Sequence, residues 1–481
     1  LFHEQRRYLF CAGRCLLAAA AILVHAPVVS AQDGAGPGSP EPDAEQAPSP
    51  GVRSEFQFGS YGRVVTASDL RGGAGDQINV ASYGPRLQES PYLELDFRYT
   101  LLTDDGARFM VHITPALVNA MFHYDGDFDG QIALRNMFLE VSGFGIDGLS
   151  AWAGSRMYRG DDIYLLNFWP MDNLNTVGAG MRYAINQDMS LAVQAGANQL
   201  NSPVQRQVIQ VPRPTFGVED QQFNDRLRPV ASLRWEHLFD LSGDLGMKYV
   251  LWGELQHLGD GQYQDDNDVV LQTPAESGYA VGAQLGLWGF TESGFANVFF
   301  RHARGLAVSG ELGIPATGLA QDRTFSNAAL TRVGLSANAE SRWFGVTAGA
   351  YVQWYSDADD VSYDTDDFSE GVVAIRPAVF VTDHFHQVFE VSYQQRRPDG
   401  LSARSDLYLQ PSIWQFGVMP TLSLDRNMLS RPQLRLIYAA SLLGDGALDL
   451  FPEDDLRRQD RVQHFLGIGA EWWFNSLSFG Y

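Results

Sequence analysis

Cysteine is nearly missing from this 481-residue chain: Cys11 and Cys15 are the only two, both close to the start. Downstream of them no disulfide, thiolate metal site or cysteine nucleophile is available. Lysine is scarcer still, since Lys248 is the only one among 34 basic residues. An arginine-biased genome is the simplest account, but it leaves nearly all cationic chemistry to guanidinium groups. Positive charge is itself in deficit, with 57 acidic residues and a net charge of −23. That balance argues against nucleic acid as a partner. Long apolar runs are also lacking: beyond Ser54 nothing approaches the roughly 20 residues of a transmembrane helix. Yet 45% of the chain is hydrophobic and 12% aromatic, which excludes a disordered polypeptide.

The first 31 residues read as a secretory signal. Arg6, Arg7 and Arg14 supply a basic start, Leu16 to Val24 a short apolar core, and Val29-Ser30-Ala31 a small-residue cleavage site. The chain opens on Leu1 rather than methionine. Without the three arginines and one glutamate of this stretch, the balance is 31 basic against 56 acidic residues. Residues 32–53 are rich in proline, glycine and acids and are expected to be a disordered periplasmic lead-in.

From residue 54 to 481 the pattern is repetitive. About eighteen segments of roughly ten residues alternate apolar with other side chains, the period of a strand. Tight turns such as Thr103 to Ala107, Asn186 to Asp188 and Thr382 to His384 alternate with long polar connections such as 67–89, 199–226 and 305–327. Short turns at one end and long loops at the other point to an all-β, transmembrane antiparallel β-barrel of about 18 strands. Around residues 92–99, Leu93, Leu95, Phe97 and Tyr99 share one face, and Tyr92, Glu94, Asp96 and Arg98 the other. Around 466–474, Leu466, Ile468, Ala470, Trp472 and Phe474 oppose Gly467, Gly469, Glu471 and Trp473. Charges facing lipid would cost several kcal/mol (~2–4 for a basic residue at the midplane), so the charged face lines water. Trp235, Trp252, Trp343 and Trp354 are expected in the interfacial girdles.

One stretch breaks the rhythm. Between Asp161-Asp162 and the glycines at 178 and 180 lies Ile163 to Pro170, too apolar for an exposed loop. Such a loop must bury itself, so it is expected to fold into the barrel mouth and narrow it. On the lumen side Tyr61, Tyr92 and Trp473 fall on the first, second and last strands, which are neighbours once the barrel closes. Aromatic faces of this kind can pack against the apolar face of a pyranose ring. Arg63, Arg86, Glu94, Arg135 and Asn167 can exchange hydrogen bonds with sugar hydroxyls beside them. A conducting track of this type must bind weakly, on the order of mM.

These residues resemble the maltoporin-type (LamB-like) sugar porins. WAGSRMYRGDDIYLLNFWPMD (152–172) is similar to that family's strand and inward-folded constriction loop. FGSYGR (58–63), RLQESPYLEL (86–95), VVAIRPAVF (372–380) and EWWF (471–474) have counterparts in its strands. The resemblance implies an eighteen-stranded homotrimer passing maltodextrin-like sugars along an aromatic slide. By position, Tyr61, Tyr92 and Trp473 match slide aromatics and Trp169 the aromatic of the constriction. Arg63, Arg86, Glu94 and Arg135 match the polar track, with Asn167 where the family has a carboxylate. The family's constriction arginine falls on Gly160, Arg159 standing one place earlier, and Glu370 or Gly371 falls where the slide would continue.

Other signals are weaker. Asp125, Asp127, Asp129 and Gly130 resemble the start of a calcium loop, but Asn136 stands at position twelve, so an acidic turn is expected. The acidic run from Asp357 to Asp367 reads as an extracellular loop facing lipopolysaccharide. His384 and His386 lack companions for metal ligation. No GxSxG elbow occurs. The expectation is a passive sugar porin of a Gram-negative outer membrane, neither an enzyme nor a cofactor protein, whose partners are sugars, outer-membrane lipid and lipopolysaccharide. The alternative is a general or ion-selective porin in which the aromatics are structural.

Overall fold

A computed structural model describes residues 51–476 apart from 88, 119–121, 123–129, 199–206, 213–217, 224–226, 265–269, 310–324, 326, 357–366, 403–404 and 454. The expected signal and nearly all of the lead-in, the Asp125–Asp129 turn and most of the 357–367 acidic run lie outside the described residues. The strands are β1 (Val52–Ser68), β2 (Tyr92–Thr103), β3 (Arg108–Val118), β4 (Gln131–Ser142), β5 (Leu149–Arg159), β6 (Asn173–Ala184) and β7 (Met189–Asn198). There follow β8 (Gln207–Pro212), β9 (Val218–Phe223), β10 (Arg228–Ser242), β11 (Leu245–Leu258), β12 (Gly261–Gln264), β13 (Val270–Thr273), β14 (Glu276–Trp288) and β15 (Phe295–Gly305). The last are β16 (Ala329–Glu340), β17 (Phe344–Ser356), β18 (Phe368–Phe380), β19 (Phe385–Pro398), β20 (Ser412–Ser423), β21 (Gln433–Leu443) and β22 (Val462–Phe474).

Eighteen of these form one antiparallel sheet, each pairing with the next along the chain. It closes because β1 pairs with β2 on one side and with β22 on the other. Closure leaves no strand edge to be satisfied, which is what lets a sheet cross a bilayer. The remaining four strands make two small hairpins, β8–β9 and β12–β13, inside long connections. No described helix is long and apolar enough to cross a membrane; this chain crosses with strands.

The period-two alternation decides which side chains meet lipid. On β14 and β15, Val281, Leu285, Val298 and Phe300 are exposed outward, while Gln284, Asn297 and Arg301 are buried inside. The same split sets Phe389 and Val391 against Glu390 and Ser392 on β19. Trp343 and Trp354 lie exposed on the outer side, as a girdle requires, and Trp235 packs edge-on against Tyr249 at 5.9 Å. Trp252 departs from the expectation. Its register on β11 is that of Val250, Glu254 and Gln256, all buried inward, and its neighbour across β14 is Gly282. Parity puts it in the lumen, with the Arg301 guanidinium 5.4 Å from its ring.

Candidate functional site: the constriction loop and the aromatic arc

β5 ends at Arg159 and the chain turns inward at Gly160, whose N–H donates to Asp172 Oδ1 over 2.8 Å. A Cβ at Gly160 would sit 2.4 Å from that same oxygen and 2.9 Å from Arg234 Nη1. No larger residue fits there without displacing both, so the cation of this turn is carried by Arg159 instead. Beyond it Ile163 N–H donates to the Phe168 carbonyl at 2.7 Å, closing a small loop around a single 3-10 turn, Tyr164–Leu166. Asn167 completes that loop with φ 48° and ψ 47°, a left-handed conformation that asparagine tolerates well. Its place is thus explained by backbone geometry before any contact with solute.

The loop lies inside the barrel because it has an apolar seat there. Ile163 and Leu165 are completely buried, and Leu166, Phe168 and Met171 nearly so. Their seat is cut from small residues at lumen-facing positions of neighbouring strands. A Cβ at Gly349 (β17) would lie 2.6 Å from Ile163 Cγ2, one at Gly334 (β16) 3.0 Å from Ile163 Cδ1, and one at Gly282 (β14) 2.5 Å from Met171 Cγ. Arg332 on β16 donates to the Pro170 carbonyl at 3.2 Å, its guanidinium 4.6 Å from the Phe168 ring.

The connection between β1 and β2, read from sequence as a polar loop, also turns inward. Val80, Ala81 and Leu87 are buried, and Tyr83 stacks on Phe168 with centroids 3.7 Å apart. Arg86 N–H donates to the Leu165 carbonyl at 2.7 Å, so the two loops dock as one body. Apolar residues at 78, 80, 81, 83 and 87 were the available signal; the surrounding glycines and polar residues masked it.

The three wall aromatics stand on adjacent strands. Tyr61 is the register partner of both Trp473 and Glu94, and Arg63 that of Tyr92 and Glu471. The Tyr61 and Tyr92 centroids are 5.8 Å apart, and the constriction's Tyr164 meets Trp473 edge-on at 6.0 Å. Tyr61 is 2% exposed; Tyr92 and Trp473 are half-buried. Guanidinium groups interleave with the rings: Arg63 at 5.2 Å from Tyr92, Arg86 at 4.7 Å from Tyr164, Arg431 at 4.4 Å from Trp473 and Arg159 at 3.7 Å from Trp169.

Carboxylates hold all of these arginines except Arg159, which donates to Asn173 Oδ1. Glu471, fully buried, accepts from Arg86 (2.8 Å), Arg431 (2.9 Å) and Arg435 (3.0 Å). Glu89 pairs with Arg63 (3.3 Å) and Arg86 (2.5 Å), and Glu94 with Arg135, whose guanidinium also reaches the Tyr92 hydroxyl. The two aspartates of the loop behave oppositely. Burial raises the Asp162 carboxyl to about 6, with Asp161 adding to the effect. Burial is the largest single effect on Asp161 too, but Lys248 at 2.6 Å, the hydrogen bond from Gln284 and the charge of Arg234 together outweigh it and lower that carboxyl below its usual range.

Of the ten residues picked from sequence, Tyr61, Tyr92, Trp473, Arg63, Arg86, Glu94 and Arg135 thus form one patch, which Tyr164 joins to the loop carrying Trp169, Arg159 and Asn167. Missed were Tyr164, Arg431, Arg435 and the hub Glu471, together with Tyr83 and Arg332 beneath the loop. Glu370, which with Gly371 falls where the family's slide would continue, is buried and accepts from the Tyr351 hydroxyl at 2.9 Å and Gln353 at 2.7 Å.

A closed eighteen-stranded barrel with lipid-facing alternation and an inward constriction loop defines an outer-membrane porin. The chain belongs to the LamB porin family, whose model matches residues 56–474. Family and fold are those of a channel of the Gram-negative outer membrane and not of an enzyme. Among solved structures it is similar to the outer membrane channel DcaP of Acinetobacter baumannii (9% identity, 89% of this chain and 98% of that one, TM-score 0.45). It is also similar to OccD3 (OpdP) of Pseudomonas aeruginosa (11% identity, 88% and 92%, TM-score 0.44). No curated protein matches the sequence.

Proposed function

We propose that this porin passes sugars of the maltose and maltodextrin type by diffusion, guided by the arc of Tyr61, Tyr92 and Trp473 toward Trp169. The observation that carries this reading is the half-buried Tyr92 ring, whose hydroxyl is in hydrogen-bonding range of Glu94 and Arg135 and whose face lies 5.2 Å from the Arg63 guanidinium. A pyranose laid on such a ring keeps its equatorial hydroxyls toward charged donors and acceptors, the arrangement that replaces its water at little net cost. Arg86 and Asn167 extend the polar side of the track, Arg159 with Trp169 its narrow end. The working unit is proposed to be a homotrimer in contact with lipid and lipopolysaccharide, reached after residues 1–31 act as an export signal and 32–53 remain as a lead-in.

A second reading has an observation of its own. Arg63 and Arg431 each cover one face of an arc aromatic, so the rings can be regarded as packing partners of guanidinium groups in a general or ion-selective porin. Maltotriose titration of single channels in planar bilayers separates the two. Block that saturates and weakens in Tyr92→Ala supports the sugar track; an unblocked wild-type channel supports the general porin.

A further inference from the structure

Beside the two ends of the constriction loop, side chains of β2–β7 and β10–β11 enclose a chamber of about 340 Å³. It runs from Arg159 and Asp172 at the ends of the loop to Arg98, Arg108 and Arg182 beside the short turns. Six arginines line it, the other two being Arg156 and Arg234, against two carboxylates, Glu140 and Asp172. A protein of net charge −23 thus encloses a chamber whose walls are strongly cationic.

The partners of these arginines differ. Arg156 pairs with Glu140 at 2.8 Å, and Arg234 with Asp172 at 2.7 Å and Glu236 at 3.1 Å. Among the described residues Arg108 donates to Met110 Sδ at 3.4 Å, Arg182 to Ser190 Oγ at 3.4 Å, Arg98 to the Asn475 carbonyl, and Arg159 to Asn173 Oδ1 at 2.9 Å. None of these four is in a salt bridge among the described residues. Asp96, on the same face of β2 as Arg98, accepts from Thr114 at 2.6 Å and lies 3.0 Å from His112 Nε2. The wall between them is aromatic: Phe138, Trp152 and Tyr158 surround the Arg156 guanidinium at 4.7, 5.5 and 5.5 Å.

We propose that this chamber is an anion-binding station, and that the cargo it favours is a sugar bearing a carboxylate, a hexuronate, over a neutral one. The anionic part follows from charge: a low-dielectric cleft lined by one sign concentrates the opposite ion, and guanidinium forks match a carboxylate in two parallel hydrogen bonds. The sugar part rests on the reading given under Proposed function.

The test uses the full-length porin in planar bilayers at pH 7.5 and about 0.1 M KCl, where charges within ~10 Å are not screened. Three probes are titrated: glucuronate, glucose and maltotriose. Half-saturation by glucuronate is expected at a concentration about tenfold below that of glucose, equivalent to ~1.4 kcal/mol. In the double variant Arg108→Gln/Arg182→Gln that ratio falls to about twofold or less, the glucose value staying within twofold. Both side chains sit near the turns in loose contacts, so the variant folds; heat-modifiable gel mobility checks this, and Arg182→Glu alone lowers the same ratio. Equal affinity for glucuronate and glucose, or a preference that survives the double variant, overturns the anion station while maltotriose block keeps the arc reading intact. Glucuronate block without maltotriose block does the reverse.

Discussion

Two walls of the same lumen both set arginines among aromatic rings but differ in how many of those arginines are paired with an acid. On the arc, Arg63, Arg86, Arg135, Arg431 and Arg435 all have a carboxylate at hand, and one buried acid, Glu471, serves three of them. On the chamber wall, Arg98, Arg108, Arg159 and Arg182 have none among the described residues. Burial accounts for part of the difference: Arg86, Arg431 and Arg435 are buried, whereas Arg182 is exposed and Arg98 and Arg108 are partly so. A guanidinium held under a docked loop must be neutralised where it sits, because an unpaired buried charge costs several kcal/mol. Arg182, exposed at the chamber wall, keeps its hydration and stays available to a solute. The arc is thus a strut as well as a surface, whereas the chamber wall is free to act as a charge filter.

Removing the hub should break this contrast most violently. Glu471→Ala leaves Arg86, Arg431 and Arg435 without their shared acid and is expected to cost about 3–5 kcal/mol, seen as a lower urea midpoint at unchanged m. Glu140→Gln, its counterpart on the chamber wall, should cost ~1 kcal/mol or less, since Glu140 and Arg156 are both partly solvated. Equal effects would erase the distinction between strut and filter. The seat of the loop comes next. Gly349→Val places methyl groups where Ile163 now lies, which is expected to cost ~1–3 kcal/mol and to raise single-channel conductance as the loop is pushed away.

The arc's binding role predicts a smaller change. Tyr92→Ala should weaken maltotriose block by about 3–10-fold, the equivalent of the ~0.5–1.5 kcal/mol that aromatic contacts contribute. Conductance should stay level or rise, and Arg182→Gln should leave maltotriose block alone. The smallest effect is on pH. The Asp162 carboxyl, raised to about 6, is neutral below that pH and charged above it. Lowering the pH from 7.5 to 5 therefore removes a negative charge beside the constriction, and anion preference should increase modestly, read as a shift of zero-current potential in a KCl gradient. Asp162→Asn should show the acid-limb potential at both pH values. A folded-state carboxyl above its unfolded value also means that Asp162 favours the folded barrel at low pH, a contribution lost as pH rises through about 6.

Much of this was readable in advance. All eighteen barrel strands were locatable within a few residues, because a strand with lipid on one side and water on the other has no freedom in its alternation. The inward course of residues 163–170 was equally legible: Ile163, Leu165, Leu166 and Phe168 in a row have no stable place in solvent. Less could be seen of the partners. Gly282, Gly334 and Gly349 look like ordinary strand glycines until register sets them side by side beneath the loop. Trp252 looked like a girdle residue because bulk and aromaticity carry no parity; its register alone turned it inward. Tyr83 and Leu87 were hidden by the polar residues around them.

Local pattern, then, determined the barrel, its lipid face and the need for a buried loop, since each follows from what a single side chain tolerates as a neighbour, water or hydrocarbon. Which wall receives that loop, which arginines find an acid and which are left to line the chamber were decided only by closure. Residues hundreds of positions apart, such as Arg86 and Glu471, share a hydrogen bond because the first and last strands meet, and no spacing along the chain encodes that distance.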